Sequence, residues 1–261
     1  MLGLFRMLRR YRDLLYMLTL RDIKVKYKQS VMGILWAILM PLIITSAGVV
    51  VKVGLATVAG RPVIAAEIVG VAVKALPWAF FVASIRFATA SLTANASLVT
   101  KIAFPRAVFP LSAVASQLFD LGVAAIVLIA TLAFAPIPVT AAIAWAPVLL
   151  VVLIVQVCGF GLLLSAANLF FRDVKYIVEV VLTFAIFFTP VFYDAALFGK
   201  WGKVLLLNPV APILEGLAAC VAGGRSPDAG WTLYSAGWAA ALLLVAPAVF
   251  QRLEPKFAES V

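Results

Sequence analysis

The sequence predicts an all-α integral membrane protein with six transmembrane helices, an N-terminal amphipathic interface helix and two short re-entrant helices before the last span. Three observations carry that expectation. The 261-residue chain is 65% hydrophobic and only 12% charged, with a mean hydropathy of +1.14, whereas soluble domains are about half apolar and a quarter charged. Uncharged runs of span length recur, 21 residues from Val31 to Val51 and 51 residues from Leu121 to Phe171. The charge is also lopsided, 21 Lys+Arg against 11 Asp+Glu, and the cations sit mainly beside the apolar runs. That placement suits the anionic inner leaflet of a membrane and argues against nucleic acid as a partner.

Residues 1–30 do not span. At 100° per residue, Leu4, Leu8, Tyr11, Leu15 and Leu18 share one stripe, with Arg6, Arg9, Arg10 and Asp13 largely opposite. This pattern predicts an amphipathic helix lying in the cytoplasmic interface. Arg21 to Lys28 add four cations and one anion and run straight into the apolar stretch from Val31. A basic segment ahead of a span holds that side in the cytoplasm. The Val31–Val51 run is long enough for a hydrocarbon core of about 30 Å, and Pro41 inside it is expected to kink or open the helix. Lys52, Arg61, Pro62, Glu67 and Lys74 mark an external connection, and a second span covers about 75–94 with Arg86 near its middle.

Asn95 to Arg106 returns to the cytoplasm as a brief helix closed by Pro105. The 51-residue uncharged run exceeds one span and breaks at Pro136 and Pro138. Span three is therefore placed at about 107–134, with Asp120 inside it, and span four at about 141–167. Asn168 to Tyr176 is a cytoplasmic turn, and span five runs from about Ile177 to Tyr193 with Glu179 inside. Between Asp194 and Asp228 the apolar pieces Val204–Leu207 and Ile213–Val221 are too short to cross. Half-inserted helices on the outer side fit them, provided protein or water covers their polar backbone. Span six is about 231–250, followed by a short polar tail. Fourteen of the 21 cations then lie on the inner side, which places both termini in the cytoplasm.

No motif for catalysis is present. There is no G-x-x-x-x-G-K-[ST] loop, so the chain is not expected to hydrolyse ATP alone. There is no His, and no His/Cys/Asp group has metal-ligand spacing; Cys158 and Cys220 stand apart. The N-terminus does not read as a signal peptide, because arginines interrupt every apolar run before Leu14. Gly159-Phe160-Gly161 lies inside a span, where small residues serve close helix packing. Charges inside spans are costly unless paired. Arg86 and Asp120 are expected to pair, either as an interhelical staple or as a polar patch lining a pathway. Glu179, one turn from Lys175, is expected to form an i,i+4 pair with it. Trp78, Phe80, Phe81, Phe187, Phe188, Phe192 and Tyr193 suit an interfacial anchor belt or stacking platforms for sugar faces.

The segment RDIKVKYKQSVMGILWAILMPLI from Arg21 resembles the corresponding segment of ABC-2-type permeases of polysaccharide exporters, the membrane subunits that export O-antigen, capsule or wall teichoic acid. The resemblance continues through LPWAFF (76–81), NASLVTKIAFPRAVFPLSAV (95–114), NLFFRDVKYIV (168–178), FFTPVFY (187–193) and NPVAPILEGL (208–217), so it covers nearly the whole chain in order. It implies one transmembrane domain over 1–261: the interface and basic segment 1–30, spans one to five over 31–193, an external re-entrant region 194–228, span six over 229–251 and a tail 252–261. It also implies a homodimer in the bacterial cytoplasmic (inner) membrane and two separate nucleotide-binding ATPase subunits, which bind ATP and Mg. This chain itself would hold no cofactor. The implied substrate is a glycan on an undecaprenyl pyrophosphate-type lipid. Carried over by position, Asn95, Leu98, Lys101, Phe104, Pro105 and Arg106 belong to a coupling helix at about 95–106 that seats in the ATPase. Arg21, Lys24, Lys26 and Lys28 would meet the lipid pyrophosphate, and Arg21 to Gln29 the ATPase and lipid headgroups. Trp78, Phe81, Phe192 and Tyr193 are candidates for the channel lining, beside Arg86 and Asp120. The alternatives are an ABC-2 exporter of a drug or simple lipid, a secondary transporter or channel needing no ATPase, and a structural membrane protein.

Overall fold

Apolar runs of this length leave the backbone no water to bond with, so they satisfy their own N–H and C=O groups as helices. The computed structural model describes residues 9–28, 32–33, 35–60, 62–101, 104–134 and 140–259, and among them no strand occurs. The expected positions Leu4, Arg6, Leu8, Gln29, Arg61, Pro136 and Pro138 lie outside the described residues. The helices are α1 (Arg12–Lys28), α2 (Leu35–Val58), α3 (Ala65–Ala94), α4 (Ala96–Lys101), α5 (Val108–Phe134), α6 (Trp145–Phe170), α7 (Val174–Phe188), α8 (Gly202–Leu206), α9 (Ala211–Val221) and α10 (Ala229–Leu253). Five described segments are long and apolar enough to cross a membrane: Leu35–Val58, Ala65–Ala94, Val108–Ala130, Ala141–Phe170 and Ala229–Phe257. The protein is thus a multi-pass, all-helical membrane protein.

Several boundaries differ from the sequence expectation. The second long helix starts at Ala65 rather than 75, so Lys74 sits within a helix and not in a connection. The fifth expected span stops at Phe188 instead of Tyr193. Pro190 explains this, because the residue before a proline is pushed out of helical geometry; Thr189 has φ −118 and ψ 130. At fifteen residues α7 is about 22 Å long, shorter than a hydrocarbon core of about 30 Å. The expected polar tail is also different. After α10, a 3-10 turn over Glu254–Glu259 folds back and buries Phe257. The helix α2 runs continuously through Pro41.

Two apolar cores hold the bundle. The larger one gathers Trp78 and Ile85 of α3, Leu149 and Leu153 of α6, and Ile213 and Leu214 of α9. The second is built from Leu18 of α1, Leu92 of α3, Val99 of α4, Phe109 of α5, Leu169 of α6, and Phe250 and Phe257. The described members of the α1 stripe face this second core, with Leu18 buried and Tyr11, Leu14 and Leu15 packed against it, while Arg9, Arg10 and Asp13 stay exposed. Phe257 completes the core by edge contacts with Phe170 and Phe250, centroids 5.8 and 5.1 Å away. The glycine pair works as expected, one face each. A Cβ on Gly159 would lie 2.6 Å from Leu242 Cβ of α10, and one on Gly161 would lie 3.0 Å from Ala88 Cβ of α3. The α6 backbone therefore approaches both neighbours only because these side chains are missing.

The largest departure from the sequence expectation concerns Lys52 and Lys74. Neither marks an exposed connection: Lys74 is 1% exposed and Lys52 is 5% exposed. An ammonium has three donors and tolerates burial only when they are matched. Lys74 Nζ donates to the Tyr193 carbonyl at 2.6 Å, to Asp194 Oδ1 at 2.8 Å and to Glu215 Oε1 at 3.4 Å. Lys52 Nζ donates to the other Asp194 oxygen at 2.5 Å and pairs with Glu67 Oε1 at 3.5 Å. Glu215 Oε1 also accepts the Ala195 backbone N–H at 3.1 Å. The cluster ties α2, α3, α9 and the Tyr193–Ala195 connection together.

Burial alone would raise the Asp194 carboxyl, but the ammonium groups of Lys74 and Lys52 outweigh it and hold the group down at about 2. Its unfolded value is about 3.9, so the stabilisation is fully present above about pH 4 and is lost as pH falls through about 2. The melting temperature of the detergent-solubilised protein should fall across that window, and Asp194→Asn should flatten the dependence there. Lys74→Met should lower the melting temperature, because it leaves Glu215 without its cation and Asp194 with Lys52 alone. For the α6 contacts, Gly159→Leu should destabilise by about 1–3 kcal/mol through overpacking. Gly54→Ala is the control: nothing lies within 4 Å of its Cβ position, and the melting temperature should hold or rise.

Candidate functional site

A cleft of about 620 Å³ opens between the C-terminal end of α1 and helices α2, α3, α5 and α7. Its walls are mostly apolar: Trp36, Met40 and Ile44 from α2, Trp78, Phe80 and Phe87 from α3, Leu121 from α5, and Leu182 and Ile186 from α7. Polar groups are concentrated in Lys26, Tyr27, Arg86, Gln117 and Asp120. An apolar cavity with a few convergent polar groups is the usual form of a ligand site.

The polar groups form two linked sets. In the first, Lys26 Nζ pairs with Asp120 Oδ2 and donates to Gln117 Oε1 at 3.3 Å, while the Tyr27 hydroxyl donates to Asp120 Oδ1. Burial raises the Tyr27 pKa, and the hydrogen bond to the Asp120 carboxylate raises it further, so the phenol remains a donor. Lys26 Nζ also lies 5.8 Å from the Phe87 ring centroid, within cation–π range. In the second set Arg86 grips Glu179 with two prongs, Nε to Oε2 at 2.8 Å and Nη2 to Oε1 at 2.6 Å.

These pairings correct two expectations. Arg86 does not pair with Asp120, and Glu179 does not pair with Lys175. The physical reason is tertiary. The helix α7 brings Glu179 against the guanidinium fork, whose planar donors match a carboxylate two at a time, while α1 docks along α5 and delivers Lys26 to Asp120. Lys175 Nζ instead sits 4.7 Å from the Tyr176 ring centroid.

The other expected site residues divide by location. Trp78 lines the cleft and is stacked on Phe81, centroids 5.4 Å apart at 22°. Phe192 packs against α2, where a Cβ on Gly48 would lie 2.5 Å from its ring. The Tyr193 hydroxyl donates to the Phe187 carbonyl at 2.7 Å, closing the end of α7. Of the four cations, Lys26 alone reaches the cleft. Arg21, Lys24 and Lys28 share another face of α1 with Met17, Leu20 and Val25. The 95–106 segment forms the short helix α4, with Asn95 Nδ2 donating to the Ser91 carbonyl at 2.8 Å as α3 ends, and Lys101 closing α4. Leu98 packs on the second core, Phe104 lies 5.4 Å from the Phe109 ring, and after Pro105 the Arg106 guanidinium donates to the Glu254 carbonyl at 2.5 Å and to the Val99 carbonyl at 3.2 Å. Glu254 in turn accepts the Arg106 backbone N–H at 2.7 Å.

Tyr27, Gln117 and Phe87 were not singled out from sequence. Gln117 had a usable signal, since it stands one turn before Asp120 in an otherwise apolar span. Tyr27 and Phe87, each next to a noted cation, had none beyond that adjacency.

The pairing can be tested by charge exchange. Arg86→Glu and Glu179→Arg should each lower the melting temperature in detergent, and the double exchange should recover it, with a coupling of about 1 kcal/mol. Arg86→Glu combined with Asp120→Arg should recover nothing.

With the geometry in place, the comparisons with known proteins are specific. Residues 13–221 match the family model described as ABC-2 type transporter. The chain is 30% identical over 265 residues to the O-antigen export system permease protein RfbA of Myxococcus xanthus, covering the whole of both chains. It is 29% identical over 250 residues to a protein of the same name from Klebsiella pneumoniae, covering 95% of this chain and 94% of that one. A second Klebsiella pneumoniae RfbA is 27% identical over the same shares. A family match over most of the chain and a full-length relative at this identity have one consequence: the chain belongs to the ABC-2 type transporter family.

Proposed function

We propose that this chain is the membrane permease of an ATP-driven exporter that moves a lipid-linked polysaccharide across the bacterial cytoplasmic membrane. The observation that carries the reading is the cleft: apolar walls end at Lys26 and Arg86, beside a basic helix. An apolar wall suits the lipid chain, and its pyrophosphate would meet the surplus cations of α1, Arg21, Lys24 and Lys28, and exchange for the Asp120 and Glu179 carboxylates that Lys26 and Arg86 already hold. Relatives named for O-antigen export point the same way. O-antigen, capsule and teichoic acid lipids share this headgroup logic.

The remaining parts follow from the same reading. The helix α7, although short, makes the sixth crossing, and α8 and α9 are re-entrant on the outer side. The basic N-terminal segment, α4 and the Glu254–Glu259 turn lie in the cytoplasm, as do both termini. The helix α4 is the seat for two separate ATPase subunits, which bind ATP and Mg. Arg21, Lys24 and Lys28, interleaved with apolar side chains, contact lipid headgroups. Two copies of the chain form the pathway. This is supported by α2, which buries little of its apolar surface within one chain, and by α7, where Val180, Val181, Phe184, Phe187 and Phe188 are 57–69% exposed.

Deletion of the gene in the source cell tests the function. Surface polysaccharide should be lost, and lipid-linked polymer should accumulate where only permeabilised cells expose it to an added glycosidase; the wild-type gene should restore both. A clean deletion with normal surface polymer would sink the reading and leave export of a drug or simple lipid.

A further inference from the structure

We infer that the outer side of the chain carries a sugar-binding pocket, separate from the cleft, that takes one or two sugar units of the glycan. This rests on the export reading above. The pocket has a volume of about 480 Å³, within the roughly 300–1,000 Å³ typical of small-ligand sites. It lies between the Ala195–Trp201 turn, α8, α9 and the first turn of α10, and presents Lys203, Glu215, Arg225, Ser226, Asp228 and Trp231.

That set matches a polyhydroxylated ring better than any simpler ligand. Sugar hydroxyls both donate and accept, so their site needs acids and cationic donors side by side. Two acids and two cations are present here, which leaves no net field to favour a polyanion or a metal ion. Trp231 supplies the apolar face on which the C–H side of a pyranose packs. Ala195, Ala196 and Gly199 project little into the space and leave it open.

The two acids and the backbone turn that carries Arg225 are held in place before any ligand arrives, which lowers the cost of binding. The Arg225 backbone N–H donates to the Ala219 carbonyl at 3.0 Å, and Thr140 Oγ1 donates to the Gly224 carbonyl at 3.1 Å. Gly224 takes a φ of +62 at that turn, a conformation glycine adopts without cost. Asp228 Oδ1 accepts the Trp231 backbone N–H at 2.9 Å, and Glu215 is fixed by Lys74 and the Ala195 amide. A sugar in this pocket therefore touches the same carboxylate that holds the buried Lys74, and so meets the junction of α3 and α9.

The test uses the full chain in lipid nanodiscs. The probe is a set of short oligosaccharides released by mild acid from the source cell's own surface polysaccharide, and binding is read by equilibrium dialysis and saturation-transfer NMR. Wild type should bind, and Trp231→Ala and Arg225→Ala should each weaken binding about tenfold or more. Trp231→Tyr should stay within about threefold, because an aromatic face remains. Wild type without binding, or wild-type affinity in both alanine variants, overturns the pocket while a deletion strain lacking surface polymer still upholds the export reading. A deletion strain with normal surface polymer overturns the export reading, and this proposal with it.

Discussion

Asp194 lies between two ammonium groups that an apolar bundle could not hold alone. Each of its oxygens serves one lysine, Oδ2 for Lys52 and Oδ1 for Lys74. Lys52 belongs to α2, Lys74 to α3, and Glu215, the further partner of Lys74, to α9. Segments separated by more than a hundred residues are thus held by a few charge-assisted hydrogen bonds from two buried ammonium groups. The stretch after α7 must fold back over the end of α2 and the start of α3, because otherwise the two lysines would be stranded. That fold-back also seats the Phe192 ring against Gly48, and it leads into the Ala195–Trp201 turn that walls one side of the pocket at Trp231.

The helix α3 links this cluster to everything else. Its 30 residues make a rod of about 45 Å. Near one end stands Lys74, farther along stands Arg86 with its grip on α7, and at the other end Asn95 hands over to α4. The α4 end is tied as firmly as the Lys74 end, since Arg106 donates twice to Glu254 and Phe257 fills the gap between Phe170 and Phe250. On the export reading, a push on α4 is therefore received by a packed core that includes α1, α5, α6 and α10. Motion there reaches α3 as a rigid body, because close-packed interiors transmit displacement instead of absorbing it.

Much of this was readable from the sequence, and the limit has a physical form. The uncharged runs gave the long helices, because a hydrophobic span advertises itself residue by residue. Gly159 and Gly161 could be assigned to helix packing for the same reason. Arg86, Asp120, Lys26 and Trp78 were all named as site candidates, and the cleft brings them together. Which charge meets which was not readable. Glu179 lies one turn from Lys175 in sequence, yet tertiary packing places it against Arg86. Lys52 and Lys74 resembled the flanks of a loop because their acids are far along the chain. The misplaced acid in the apolar run Ile213–Val221, Glu215, was the available hint that a buried cation awaited it. The C-terminal turn carried almost no signal, since a single Phe257 among polar residues does not announce a core position.

The cleft and the cluster solve the same problem with opposite consequences. Lys74 is enclosed, has its three donors matched, and is out of reach of any ligand, so its role is to hold helices together. Lys26 is matched too, to Asp120 and Gln117, but its side chain remains about one-third exposed at 36%. An anion reaching Lys26 does not have to strip water from a bare ammonium; it has to compete with a carboxylate already there. Tyr27 bears on that competition, because its hydroxyl bonds to Asp120 and continues to satisfy that acid when the lysine turns away. On the export reading, substrate binding at this end is then an exchange of partners rather than a new burial of charge. Exchange leaves fewer uncompensated groups at every stage, and an apolar cleft that must be entered and left repeatedly requires that.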